Sequence, residues 1–361
     1  MAERRDYGLT GRDAQRAVER GLAQAQWYRC PIHRKELKEL MRRRDGPAVR
    51  DTLIWLSAMG ISGALAFHFW GQWAAIPFFA VYGILYGSAS DSRWHESVHG
   101  TAFRTRWINE TVYLLSCIMI VREPTIWRWS HARHHTDTMI VGRDPEVEVK
   151  RPPESVTIVL DMFALKRISM TMLRLVEHAC GRMTAEECTF VPEAERWKVA
   201  WGARAGLCVL AALVGGCLAT HSILPAMFIG LPTIYGGFFG PFYALTQHTG
   251  LAEDVLDHRL NSRTIYMSRL SRFLYWNMNY HVEHHMFPMV PYHALPKLHE
   301  AIKADCPPPY RSCWDAYREI IPAVLRQRRD PNWFVARPLP RSAPGEGARH
   351  ERVAASGIAV G

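Results

Sequence analysis

The sequence predicts an all-α membrane protein whose four transmembrane helices form two hairpins. Its average composition hides this architecture, since a mean hydropathy of -0.13 and 22% charged residues are ordinary for a soluble protein. The charges, however, are segregated along the chain: residues 52–90 and 205–252 contain no Lys, Arg, Asp or Glu. One crossing of the hydrocarbon core takes about 20 apolar residues, so each uncharged tract is long enough to cross twice.

The first half of the chain begins with a basic segment, residues 1–51, which is predicted to be cytosolic. The three arginines at 42–44 come shortly before the first span, where anionic lipid head groups attract them. Spans are predicted at about 53–70 and 74–90, and both are rich in small and aromatic residues. The apolar stretch 111–121 is too short to cross, so it is expected to be re-entrant or interfacial.

The second half of the chain contains the other hairpin. An amphipathic stretch around 156–175 is expected to lie on the membrane surface. The hairpin itself is predicted at about 205–220 and 223–246, and the Pro and Gly residues of its second arm predict a kink. A cytosolic C-terminal segment is expected over 301–336. Residues 337–361 are rich in Pro, Gly and Arg, which predicts a disordered tail.

The net charge of +10 indicates how the chain is oriented. The turns of both hairpins, near residues 71–72 and 221–222, carry no charge, so every Lys and Arg falls on one side. The positive-inside bias makes that side cytoplasmic, which predicts a multi-pass integral membrane protein with both termini in the cytoplasm. Membrane lipid is the expected partner of this charge. The chain has no basic helix interleaved with aromatic residues and no zinc-finger spacing, so no nucleic-acid partner is expected.

Eight of the seventeen histidines fall into three tight groups. The groups are HESVH with His95 and His99, HARHH with His131, His134 and His135, and HVEHH with His281, His284 and His285. Positions i, i+3 and i+4 share one face of a helix, so each group can direct its imidazoles at one point. Imidazole is a common ligand of transition metals, and eight imidazoles exceed the four protein ligands of one tetrahedral site. The pattern therefore predicts two metal ions.

These motifs resemble the histidine boxes of the membrane-bound fatty acid desaturase and hydroxylase superfamily, which read HxxxH, HxxHH and HxxHH in the same order. The likeness covers roughly residues 50–300, so 52–300 is interpreted as the desaturase domain. It implies four spans, a cytosolic helical cap and two iron ions held by histidines of all three boxes. It also implies O2 as co-substrate and an external electron donor of ferredoxin or cytochrome type with its reductase. The chain has no HPGG haem-binding signature, so no fused cytochrome domain is expected.

The resemblance also implies a ninth ligand near the end of the fourth span. His248, in the stretch Gln247-His248-Thr249, occupies that position, and His258 in the following loop is the alternative. The N–H groups of ligating histidines need acceptors, for which nearby carboxylates are candidates unless they are solvated surface charges. These carboxylates are Glu96, Asp91, Asp137, Asp144 and Glu283.

Two further sets of residues are of interest beside the boxes. An aromatic run either lines a substrate channel or packs in the core. It consists of Phe273, Tyr275, Trp276 and Tyr280. A set of basic residues is expected to offer a docking surface to an acidic electron carrier. This set consists of Arg128, Arg133, Arg259, Arg263, Arg269 and Arg272.

The predicted reaction is the oxygen-dependent desaturation of an acyl chain in a lipid or fatty acyl thioester. The whole-chain pattern also resembles the rhizobitoxine-type desaturases, which implies an amino-acid-derived small molecule as an alternative substrate. Hydroxylation by the same site is a further alternative. Two interpretations come from other classes: a membrane haem protein, and a zinc-binding membrane transporter or interaction protein. The first leaves the HxxHH doublets unexplained, and the second would place its ligands midway through the spans rather than beside them.

Overall fold

A computed structural model describes residues 5–340, and over that range the regular secondary structure is helical. The only β pairing among these residues consists of two isolated bridges, Thr264 with Tyr280 and Ile265 with Tyr310. The predicted all-α class is therefore confirmed for the described part of the chain. Most of the predicted disordered tail, residues 341–361, lies outside the described residues.

The first uncharged tract forms a helical hairpin. Two short helices, α1 (Arg12–Glu19) and α2 (Arg34–Leu40), precede α3 (Asp45–His68) and α4 (Ala75–Val98). The indole N–H of Trp55 on α3 donates to the carbonyl oxygen of Leu85 on α4 over 2.7 Å. Helix α4 extends past the uncharged tract without a break, so the first histidine box lies on its last turns.

The second box lies on a helix that begins at a well-defined cap. Helices α5 (Arg106–Met119) and α6 (Pro124–Thr136) follow one another with a short turn between them. The Glu123 carboxylate accepts the backbone N–H of Ile126 over 2.6 Å, and proline fills the first helical position, where no N–H donor is needed. The apolar stretch 111–121 is thus mostly the second half of α5.

The amphipathic stretch forms two helices, α7 (Ser155–Met162) and α8 (Leu165–Ala179). They are followed by α9 (Glu187–Phe190) and α10 (Arg196–Ala219), and α8 packs along α10. Within residues 5–340, Glu193–Ala219 is the one helical stretch that is long and apolar enough, by length and composition, to cross a membrane. Its side chains are largely exposed, which gives it an apolar outer surface.

The prediction of a single kinked helix over 223–246 is wrong. This tract forms three short helices, α11 (Leu224–Phe228), α12 (Pro232–Tyr235) and α13 (Phe239–His248). Prolines begin the first two of them, and a proline inside a continuous helix would remove a backbone donor and clash with the preceding turn. Gly230 between them has a φ of +88°, which a helix cannot contain.

The broken tract packs tightly on α4 through glycines. A Cβ atom on Gly236 would overlap the backbone carbonyl of Gly83, and one on Gly87 would lie 2.9 Å from the backbone nitrogen of Gly237. The Ser88 hydroxyl donates to the carbonyl oxygen of Gly236 over 2.7 Å and accepts the N–H of Phe239 over 3.0 Å. These contacts fix the start of α13 against α4, and α13 ends at His248, which lies against histidines of the second and third boxes.

Between residues 249 and 340, five α-helices carry the third box and much of the largest core. They are α14 (His258–Asn261), α15 (Arg269–Leu274), α16 (His281–Met286), α17 (Leu295–Ile302) and α18 (Cys313–Gln327). Trp276 stacks on Tyr292 at 4.3 Å and, with Tyr280, belongs to a core that also takes in Cys30 and Leu40 from the N-terminal segment. For Trp276 and Tyr280 the core-packing interpretation is correct.

Replacing Gly236 by Ala should lower the thermal midpoint of unfolding, because the new methyl group meets backbone atoms of α4 that cannot rotate away. Overpacking of this kind costs about 1–3 kcal/mol. Gly60→Ala on α3 is the matched control, since nothing lies within 4 Å of a Cβ at that position. Thermal unfolding of both variants in detergent would measure the difference. Equal midpoints for the two variants would show that the α4–α12 contact is not tight.

Candidate metal centre

The nine histidines predicted from the boxes and from the end of the fourth tract converge in the structure. They come from the end of α4, from α6, from the last residue of α13 and from α16. Their ring nitrogens fall into two groups, and within each group the nitrogens all lie within 4.8 Å of one another. Group one contains His95, His99, His131, His135 and His284. Group two contains His134, His248, His281 and His285.

Group one is built from two i, i+4 pairs and one further residue. The Nε2 atom of His131 lies 3.1 Å from Nε2 of His99 and 3.2 Å from Nε2 of His135. Nε2 of His95 lies 3.1 Å from Nε2 of His284, which reaches in from α16. Trp94 packs edge-on against His95 and His131, with ring centroids 5.6 and 5.3 Å apart. An aromatic wall therefore covers one side of this group.

Group two takes its i, i+4 pair from box three and its i+3 member from box two. The i, i+4 pair His281 and His285 has its Nε2 atoms 3.0 Å apart, and Nε2 of His248 lies 2.9 Å from that of His281. His134, the middle member of box two, is the fourth residue. Each HxxHH box thus sends its outer pair to one group and its i+3 member, His134 or His284, to the other. Helices α6 and α16 therefore each contribute histidines to both groups and hold them side by side.

The outer nitrogens of five rings face polar partners. Nδ1 of His131 lies 2.9 Å from the Glu146 carboxylate, and Nδ1 of His134 lies 2.9 Å from both oxygens of Asp144. Nδ1 of His248 lies 2.7 Å from the carbonyl oxygen of Asn261. The last two are Nδ1 of His285, 3.1 Å from Thr138 Oγ1, and Nδ1 of His284, 3.4 Å from Glu96. A proton held on Nδ1 leaves Nε2 with a free lone pair directed at the group.

The carboxylates proposed from the sequence as acceptors contact different partners in the structure. Asp144 and Glu96 face box histidines as expected. Glu283 instead contacts His299, with Oε1 2.5 Å from Nδ1. Asp91 pairs with Arg122 over 3.0 Å, and Asp137 pairs with Arg133 and Arg143. Sequence reasoning missed Glu146, Thr138 and Asn261. The run Asp144-Pro145-Glu146 just after box two was the available signal for Glu146.

Burial sets the charge of these rings. It lowers the pKa of His131, His135, His281, His284 and His285 well below the usual range, and that of His99 to about 3. At His134 burial also acts to lower the pKa, but the Asp144 carboxylate outweighs it and the pKa rises to about 9. Neutral imidazoles, together with one ring paired with a carboxylate, are a ligand set suited to cations.

The spacing of the nitrogens fits metal ions. Histidine nitrogens bind metals at about 2.0–2.1 Å, so neighbouring ligands of one ion lie about 3 Å apart. The observed Nε2 to Nε2 distances of 2.9 to 3.2 Å match this separation. With each proton on Nδ1, the Nε2 lone pairs are free to bind a cation between them. The two groups are therefore chemically suited to one metal ion each.

His258, the alternative ninth ligand, lies outside both groups. Its ring stacks on Trp27 with centroids 4.2 Å apart and rings tilted by 3°, and its centroid is 5.1 Å from that of His285. His248 occupies the position in group two, and His258 packs behind it.

A search against protein families gives an independent result. The fatty acid desaturase family model matches residues 71–317, which is most of the chain and contains all nine histidines. The chain belongs to the fatty acid desaturase family. No match to it was found among curated proteins. Fatty acid desaturases are enzymes, and membership supports a metal site at the two histidine groups and a place in or on a membrane.

Replacing His248 by Ala should remove one of the four nitrogens of group two, so the purified protein is expected to lose metal. His258→Ala should retain its metal, because His258 belongs to neither group. Metal content by atomic emission would check both variants, with thermal unfolding as the test that each is folded. Full metal in His248→Ala together with loss in folded His258→Ala would move the ninth ligand to His258.

Proposed function

We propose that this chain is an oxygen-dependent di-iron desaturase that introduces a double bond into an alkyl chain. The observation that carries the proposal is the division of nine histidine nitrogens into two adjacent groups of five and four. Their membership matches the nine positions predicted from the boxes and from His248. The family assignment supports the same chemistry.

The alternative metal sites fit this geometry less well. Haem takes its protein ligands on the axial positions of one iron, whereas five imidazole nitrogens here lie within 4.8 Å of one another. Structural zinc sites are tetrahedral with four ligands, which suits group two but not group one. Iron accepts five or more ligands in mixed nitrogen and oxygen sites, so a pair of irons suits both groups.

The residues of the chain hold and orient the centre. A pair of irons with O2 supplies the oxidising power that removal of hydrogen from an unactivated methylene requires, and no side chain can replace it. Group one would hold one iron and group two the other. Glu146, Asp144 and the Asn261 carbonyl each hold a proton on a histidine Nδ1 and so fix the ring that carries it. The wall formed by Trp94 excludes water from one side of group one.

In the proposed reaction the substrate loses two neighbouring hydrogens and O2 is reduced to water, with two electrons and two protons drawn from an external donor and solvent. The family name favours an acyl chain of a lipid or fatty acyl thioester as substrate. Hydroxylation would use the same site, with one oxygen atom retained in the product.

The test of this function is metal analysis combined with product analysis. Protein from cells supplied with both iron and zinc should contain close to two irons. Under air with a reducing system it should convert a fed alkyl chain to a product lighter by two hydrogens, and under nitrogen it should not. His131→Ala should lose iron and product, whereas His68→Ala, an exposed histidine at the end of α3, should lose neither.

Stoichiometric zinc without iron would overturn the oxidative proposal. A product heavier by one oxygen would make the enzyme a hydroxylase.

For the membrane arrangement we propose four crossing segments, with both termini in the cytoplasm: α3, α4, α10 and the broken tract α11–α13. Helices α3 and α4 have 24 residues each, which at about 1.5 Å per residue exceeds a hydrocarbon core of about 30 Å. The exposed apolar surface of α10 supports its contact with lipid. Reporter fusions ending near Gln72 and after Arg151 should report opposite sides, and the same side for both would exclude this topology.

We also propose that electrons come from an acidic carrier of ferredoxin or cytochrome type, itself reduced by a separate reductase. Two of the basic residues predicted to bind it are buried in ion pairs: Arg259 with Asp257 over 2.8 Å, and Arg263 with Glu319 over 3.0 Å. Neither arginine is therefore available to bind the carrier. Arg269 is exposed at the start of α15, close in sequence to the third box.

Replacing Arg269 by Glu should reduce turnover with a fixed low concentration of ferredoxin while iron content stays constant. The difference from the unmodified protein should shrink as salt rises, because exposed charges are screened over about 8 Å at physiological ionic strength. Arg174→Glu on α8, which packs on α10, is the control. Equal donor kinetics for both variants at low salt would rule out docking at Arg269.

A further inference from the structure

An open pocket of about 380 Å³ lies at the N-terminal end of α3. It is lined by four arginines and one carboxylate, namely Arg42, Arg43, Arg44, Asp45 and Arg104. The first four residues are consecutive in the chain, whereas the last comes from the loop between α4 and α5. The tertiary structure therefore adds a fourth arginine to the three that precede the first predicted span.

Two hydrogen bonds bring Arg104 to this pocket. The Asp45 carboxylate accepts the backbone N–H of Thr105 over 2.9 Å with Oδ1, and the hydroxyl of Thr105 over 2.7 Å with Oδ2. Because Thr105 directly follows Arg104, these bonds join the start of α3 to the start of α5. They also give both oxygens of the one carboxylate in the pocket a partner other than an arginine.

The pocket carries an excess of positive charge. Glu39 on α2 lies 2.7 Å from the guanidinium of Arg44 and 3.7 Å from that of Arg42. Arg43 and Arg104 have no salt bridge with any residue between 5 and 340, although the latter lies within electrostatic range of the pocket's own carboxylate. Four guanidinium groups therefore face two carboxylates, which leaves an excess of two positive charges.

The ends of two helices add to this positive potential. Thr105 immediately precedes α5, a position where a threonine hydroxyl commonly accepts a backbone N–H of the first turn. Here the hydroxyl donates to Asp45 instead, and neither α3 nor α5 has a side-chain cap. The first N–H groups of both helices are thus left uncapped, and the positive ends of two helix dipoles meet at the arginines. The site is suited to an anion.

Apolar side chains are exposed along both of these helices. On α5 they are Trp107, Leu114 and Ile118, whose spacing of seven and four residues places them on one face. On α3, Leu53 and Ile54 are exposed in the second and third turns. Hydrocarbon chains can cover such surfaces, and a tryptophan at the start of a helix is typical of a membrane interface. The neighbourhood of the pocket therefore favours a lipid over a soluble anion.

The arrangement of charge also indicates which head group fits. Guanidinium groups bind phosphate oxygens through paired hydrogen bonds, so arginines suit phosphate particularly well. A phosphate monoester carries about −1.5 to −2 charges at pH 7, whereas the phosphate diester of most phospholipids carries one. An excess of two positive charges matches the monoester.

We propose that this pocket binds the phosphate monoester head group of an anionic phospholipid, with the acyl chains along the exposed faces of α3 and α5. In the topology proposed above, the bound lipid holds the start of both helices at the cytosolic membrane surface, beside the loop that follows the first histidine box. The site uses none of the nine histidines, so it goes beyond the proposed function and does not depend on its chemistry.

The test measures which head group the delipidated protein binds. Protein in detergent would be mixed in turn with dioleoyl phosphatidic acid, dioleoyl phosphatidylglycerol and dioleoyl phosphatidylcholine, and the bound lipid counted by native mass spectrometry. Phosphatidic acid, the monoester, should bind about tenfold more tightly than the diester phosphatidylglycerol, because it offers more charge to the arginines. Zwitterionic phosphatidylcholine should bind more weakly still. Inorganic phosphate, which has no acyl chains, should compete only weakly.

Charge-removing variants locate the binding site. Arg43→Gln combined with Arg104→Gln should weaken phosphatidic acid about tenfold or more, because both guanidinium groups without a salt bridge are lost. Arg34→Gln combined with Lys35→Gln is the matched control, since it removes the same charge from exposed residues of α2 that do not line the pocket. Arg43→Lys combined with Arg104→Lys should recover part of the affinity, because lysine keeps the charge but not the paired hydrogen bonds.

Three results, obtained with variants shown by thermal unfolding to be folded, would overturn the proposal. The first is equal binding of phosphatidic acid and phosphatidylglycerol. The second is an equal loss of binding in both double Gln variants, which would indicate diffuse attraction to the net charge. The third is competition by inorganic phosphate as strong as that by the lipid, which would make the pocket a site for soluble anions. Iron content and product formation are separate readouts, so failure of the lipid site with two irons retained leaves the proposed function standing.

Discussion

Eight imidazole rings have Nε2 atoms about 3 Å from the Nε2 atom of another ring, a spacing that suits shared metal ions when each proton sits on the outer nitrogen. Much of the surrounding structure serves this constraint. Glu146, Asp144 and the Asn261 carbonyl hold outer protons in place. Burial favours the neutral form of rings such as His131 and His281, and the Asp144 carboxylate adds negative charge at His134. The helices that carry the boxes must therefore meet with little freedom.

The glycine contact between α4 and the broken fourth tract helps to fix how these helices meet. Because Gly83 and Gly236 have no side chains, two backbones touch, and the hydroxyl of Ser88 ties the start of α13 to α4. In a continuous helix the N–H of Phe239 would bond to the carbonyl oxygen of Tyr235 instead of to Ser88. The proline and glycine residues that break the tract thus position His248, at the end of α13, within the second group.

Charge is distributed unevenly around this centre. Several arginines near the boxes, such as the buried Arg259 and Arg263, pair with carboxylates and serve the fold. Arg269, by contrast, is exposed at the start of α15. The arginines near the boxes therefore differ in whether their charge is available to a partner.

The sequence alone determined the helical class and the eight box histidines, because local spacing places i, i+3 and i+4 side chains on one helix face. It also singled out His248 through resemblance. It did not show that each HxxHH box divides its histidines between two groups, since that depends on how α6 and α16 cross. It also missed Glu146, Thr138 and Asn261, and it predicted one kinked helix where prolines and Gly230 produce three.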